Sequence, residues 1–211
     1  MVKLLKTTNR KKEEMTLPEL TIIPAEPILD EVLTPNAAAA YLNTTRPNIA
    51  KLLASGYLRH LSMSSLTPLR KADFVTAGGS LPLIQTAPAE ESTDGWRKWW
   101  GDAPHLSDAD WLNAQRGDWT GAGAERIVKA GYLLVGLGGL ITGVTKVIKA
   151  VPSGDPRKAR FELQLLGRLT GELKSGDRFF NTEASDEDLA LARSIVGKRY
   201  EPRAGGSVMW L

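Results

Sequence analysis

Few residues of this chain have the types and spacing that bond-making chemistry needs. Cysteine is absent and the histidines are His60 and His105 alone, which excludes disulfides, thiolate nucleophiles and His-rich metal clusters. No Ser/His/Asp spacing suggests an activated nucleophile, the carboxylates gather where helices start, and there is no phosphate loop. The glycines around Gly138 approach a dinucleotide fingerprint, but Ile141 stands at the third glycine position and no helix pattern follows. Catalytic residues, a metal and a cofactor are therefore not expected. What remains is hydrogen-bonding chemistry. Thr44, Thr45, Arg46, Asn48 and Lys51 crowd hydroxyl, guanidinium, amide and ammonium groups into one short stretch with no acid among them. Arg pairs bidentately with guanine and Asn with adenine in the major groove of DNA, and a cation beside them suits the phosphates.

Such groups need a scaffold, and Leu33 to Gly56 reads as two short helices joined by a tight turn. Thr34 is a good N-cap and Pro35 suits the first helical position. Ala37 to Ala40 favour helix and close packing, with Tyr41 and Leu42 as the apolar contact. Asn43 tolerates a left-handed turn, and Thr44 or Thr45 caps the second helix, with Pro47 in its first turn. Ile49, Leu52 and Leu53 form the stripe facing the first helix, which leaves Arg46, Asn48, Lys51 and Ser55 on the opposite face. Gly56 ends the helix. This spacing predicts a helix-turn-helix whose second helix enters the major groove.

LTPNAAAAYLNTTRPNIAKLLASGYL resembles the excisionase-type, MerR-related helix-turn-helix family: an opening Leu-Thr, an Ala-Ala pair, a Thr-Arg-Pro turn and a Leu-rich helix ending in Gly. The resemblance covers about 45 residues, roughly a fifth of the chain. It implies a β-wing after the second helix, then a basic strand and a short helix opened by an acid. Tyr57 to Leu61, a loop at Ser62 to Ser65, and Leu69 to Val75 follow that order, although the wing lacks the family's Gly and Arg. By this resemblance Thr45, Arg46, Asn48 and Lys51 face base edges and nearby phosphates, while Arg59, Arg70 and Lys71 contact phosphates.

Charge distribution agrees. The net charge is +3 over 211 residues. Between Thr34 and Gly78, however, five Lys/Arg face one acid, Asp73. Residues 1–15 are a basic arm, expected to be a solvated terminus, with Arg10, Lys11 and Lys12 available to a minor groove or phosphates. Residues 16–78 form the expected DNA-binding domain. Residues 79–95 read as a linker by their Gly, Pro and acidic content, with Leu81 to Ile84 free to dock on a neighbour.

Residues 96–211 read as a second, α+β domain on a small, bent sheet or barrel. Five of the six tryptophans (Trp96, Trp99, Trp100, Trp111, Trp119) fall within 24 residues, and are expected to build its core rather than to stack bases. Ser107 opens a helix that stops at Gly117, and Ser185 opens another that stops at Gly197. The stretch around Gly138-Gly139 reads as a β-hairpin, Arg160 to Leu165 as a strand, and Val208 to Trp210 as a last strand. The closing GKRYEPRAGGSVMWL has a loose similarity to PUA-like barrels, which read RNA or modified bases. Two basic clusters, Arg157/Lys158/Arg160 and Lys198/Arg199/Arg203, are candidate DNA contacts of this half.

The expected protein is thus a soluble, cytoplasmic, sequence-specific regulator of double-stranded DNA, a repressor of the phage or mobile-element kind. Two unlike DNA-binding surfaces predict a monomer on an asymmetric site, with a homodimer as the alternative. An excisionase-like DNA-bending factor, or an antitoxin or adaptor whose C-terminal half binds a protein, are the other readings.

Overall fold

The computed structural model describes residues 30–211 apart from 121, 122, 156, 204 and 205; the basic arm and the lead-in to residue 29 lie outside the described residues. The fold is mixed α+β, with a curled sheet and, among the described residues, six helices.

Three helices come first. α1 (Pro35–Leu42) is capped by Thr34, whose hydroxyl accepts from Ala37 N at 3.2 Å, and closes on Asn43 in the left-handed region at φ 49°. Thr44 and Thr45 complete the turn into α2 (Arg46–Ser55), which ends on Gly56. α3 (Met63–Lys71) occupies the residues where a wing loop and a basic strand were expected. The expectation fails here for a local reason. Ser62 caps a turn, its Oγ accepting from Ser65 N, and Leu66 and Leu69 share one buried face. Pro68, which counts against a helix, sits on the exposed side and is tolerated there.

The stretch expected to be a linker contributes a strand. β1 (Pro82–Gln85) runs parallel to β5 (Tyr132–Leu137) on one side and antiparallel to β9 (Val208–Trp210) on the other. β2 (Glu90–Glu91) and β3 (Trp99–Trp100) make a small separate pair. α4 (Asp108–Gln115), β4 (Gly117–Thr120) and α5 (Ala124–Ala130) then lead into the sheet's centre. There β5, β6 (Leu140–Val151) and β7 (Lys158–Leu169) form an antiparallel meander. β8 (Arg178–Phe180) and β4 pair with opposite ends of β7. α6 (Asp186–Ile195) precedes β9. The sheet order is β4-β7-β6-β5-β1-β9, with β8 beside β7.

The hairpin between β5 and β6 turns on Gly138 and Gly139, both at positive φ (61° and 89°), as a two-residue hairpin loop requires. Both sheet faces are covered, which explains the nearly unbroken apolar run there. Leu134 points to one face and joins a core with Leu42, Ile49, Leu52 and Leu66 of the helices. Its neighbours Leu133 and Val135 point to the other face and join two smaller cores, one with Ile127 of α5 and one with Trp111 of α4. The three N-terminal helices therefore share a core with the sheet that follows them.

The tryptophans divide. Trp111 is fully buried, whereas Trp96 and Trp100 are 37% and 41% exposed. No described helix is long and apolar enough to cross a membrane.

Candidate nucleic-acid interface

α2 presents its outer face because its inner one is fully used. Ile49 and Leu52 have no exposure, and Ser55, expected outside, is buried with its hydroxyl on the Leu52 carbonyl. Arg46, Pro47, Ala50, Lys51 and Ala54 form the exposed stripe, with Thr45 beside it at the N-cap. No acid lies between Thr34 and Ala72, and no ion pair engages Arg46 or Lys51 among the described residues. The two cations are free to meet an anionic surface.

Asn48 is placed differently. It is half-buried, and its Nδ2 donates to Thr44 Oγ1 at 3.0 Å. A Cβ on Gly138 would come within 2.7 Å of the Asn48 carbonyl oxygen, so the β5–β6 hairpin lies against this side of α2. Asn48 and Thr44 thus look towards the hairpin and Arg46 and Lys51 away from it. Arg70 and Lys71 occupy the last turn of α3, where cations complement the helix dipole, and the Arg70 guanidinium lies 5.8 Å from the Tyr41 ring centroid. Arg59 reaches out, but Glu172 holds it at 2.5 Å.

The second-half cations are mostly committed. Arg160 donates Nε and Nη2 to Asp118 at 2.9 and 2.8 Å. That pairing raises the arginine's pKa and lowers the carboxylate's. Arg157 pairs with Asp155 at 3.1 Å, and Lys198 with Asp73. Lys158 and Arg203 are exposed. Arg199 is withdrawn from the outer surface to the back of a cleft: it is 5% exposed and donates Nη2 to the Leu42 carbonyl at 2.5 Å. Burial, with Arg70 nearby, lowers its pKa. Its backbone explains the position, pairing with Asp73 and Val75 and so drawing the side chain under Phe74. The two C-terminal clusters are not brought together as one free basic patch.

One buried group escaped sequence reasoning. Asp102 has no exposure; Oδ1 accepts from Tyr57 O–H at 2.8 Å and Trp111 Nε1–H at 2.7 Å, and Oδ2 bonds Thr142 Oγ1. Burial raises its pKa despite these donors and Arg168. Tyr57 directly follows the glycine that ends α2, so this network ties the end of α2 to α4 and β6. The Trp111 ring fills the space over Gly143, where a Cβ would come within 2.4 Å of Cη2. The partners of Asp102 lie far apart in sequence, at 57, 111 and 142, and no local pattern signals them. No cluster of three potential metal ligands occurs among the described residues.

Compared with protein-family models, curated proteins and solved structures, the chain matches none.

Proposed function

We propose that the chain is a sequence-specific double-stranded DNA-binding regulator that reads the major groove with α2. The observation that carries this reading is the exposed, acid-free face of α2, where Arg46 and Lys51 stand beside Thr45 with no counter-ion among the described residues. α1, the Asn43–Thr45 turn and α2 make a helix-turn-helix in length and order, with the second helix facing outward. Arg46 is the base reader, suited to guanine O6 and N7. Lys51, Arg70 and Lys71 are phosphate contacts that supply salt-dependent affinity. Asn48 is a positioning residue that holds Thr44 at the turn.

The sheet serves this reader as its support. The β5–β6 hairpin backs α2 at Asn48 and Leu52, and the Asp102 network fixes the helix's far end. The repressor of a phage or mobile element is the nearest functional class. Arg46→Ala is expected to weaken binding to the selected duplex by about 1–3 kcal/mol and to relax preference at one base pair. Lys51→Ala should weaken binding to all duplexes alike and make the salt slope shallower by about 1. Fluorescence anisotropy on the selected duplex and a scrambled one reads both; unchanged affinity in both variants contradicts the assignment.

A further inference from the structure

Arg199 poses a question that duplex binding does not answer. A guanidinium at 5% exposure is normally neutralised by a carboxylate. Among the described residues none pairs with it. Its neighbours are the Leu42 carbonyl, the Phe74 ring at 4.3 Å and the like charge of Arg70.

The same side chain lines a cleft of about 340 Å³ between α2, the hairpin tip and the strand-like segment after residue 198. Thr44, Thr45 and Asn48 line it from the start of α2. Thr45 makes no side-chain cap to the helix, and its hydroxyl has no partner among the described residues, so it can meet a ligand at the helix's positive end. Phe74 also lines the cleft, with Arg199 on its ring and 52% of the residue exposed. An exposed aromatic ring backed by a guanidinium is a platform for a planar group. The acid on the wall is Glu201, which is exposed.

We propose that this cleft is a nucleotide-phosphate site. The phosphate lies against Arg199 and the Thr44–Thr45 end of α2, and the base stacks on Phe74. A free nucleotide and a nucleotide unit of a DNA strand present the same chemistry. The site stands whether or not α2 reads duplex DNA.

The test is calorimetric titration of the full chain with dAMP and with inorganic phosphate, in low-salt buffer free of phosphate. Both are expected to bind with one site per chain, dAMP about tenfold more tightly because its base stacks. Phe74→Ala should abolish that difference while keeping phosphate binding, and Glu201→Gln should tighten both ligands severalfold. Arg199→Met should abolish binding; because it also removes the bond to Leu42, its fold is checked by circular dichroism. The two exposed variants carry the test if it fails to fold. Absence of binding at millimolar dAMP overturns the proposal, as does binding that neither Phe74→Ala nor Glu201→Gln alters. Repeating the dAMP titration on chain saturated with its selected duplex separates the sources. Lost binding assigns the site to a phosphate of the duplex, and retained binding to a free nucleotide, while loss of duplex binding alone leaves the nucleotide site standing.

Discussion

At Asp102, burial and hydrogen bonding act against each other, and burial prevails. A neutral acid also suits the geometry: Oδ1 still accepts from Tyr57 and Trp111, while a proton on Oδ2 is donated to Thr142, whose hydroxyl reaches the Val135 carbonyl at 3.2 Å. Because the native pKa is raised above the unfolded one, the group's contribution to stability is complete below the ordinary Asp pKa of about 4. It is lost as pH rises through the raised native value. Asp102→Asn keeps both acceptor bonds and a donor to Thr142, so it should unfold at a nearly pH-independent urea midpoint over that window. Asp102→Ala leaves the buried Tyr57 and Trp111 donors unpaired and should cost about 2 kcal/mol or more. Parallel pH profiles for wild type and Asp102→Asn would show that this carboxyl is not the titrating group.

Among the elements, α6 shows how a helix is fastened from its first turn. Burial alone would raise the Asp188 pKa, but hydrogen bonds from Lys146 at 2.7 Å, Ser185 at 2.7 Å and Tyr132 at 2.9 Å together hold it low. The Tyr132 hydroxyl is in turn pushed up to about 12, first by that bond. A lowered carboxylate stabilises the fold above its unfolded pKa, and this is lost as pH falls through the native value. Asp188→Asn should therefore destabilise by about 2–3 kcal/mol at pH 7, with the difference shrinking in acid; a constant difference down to pH 2 would contradict this. Elements with local punctuation were legible in the sequence. Thr34 with Pro35, Ser107, Ser185 and the Gly138-Gly139 pair each mark a boundary where the structure has one. α3 was missed because the family resemblance laid a wing loop and a basic strand over its residues. β1 was hidden because its partners Leu134 and Met209 come much later in the chain, while its neighbours are the glycines and prolines of a loop. Arg199 was misplaced for the same kind of reason, since its burial depends on Asp73 to Val75 and Leu42.

On the scale of the whole molecule, the core joining Leu42, Ile49 and Leu52 to Leu134, Leu140 and Leu166 makes the helices and the sheet parts of one folding unit. A fragment ending at residue 90 would expose that core and leave β1 without β5 and β9. It should show no cooperative thermal transition by circular dichroism, whereas the full chain shows one; a cooperative fragment would restore the picture of two tethered domains. In the proposed function the shared core also matters, because the hairpin and the Asp102 network would set the pose in which α2 meets a groove. The most direct test is selection of bound duplexes from random-sequence DNA by the full chain. We predict enrichment of a single motif, lost or degenerate at one guanine position in Arg46→Ala. A chain that enriches no motif, or whose motif is untouched by Arg46→Ala, would contradict the assignment of α2 as the reader.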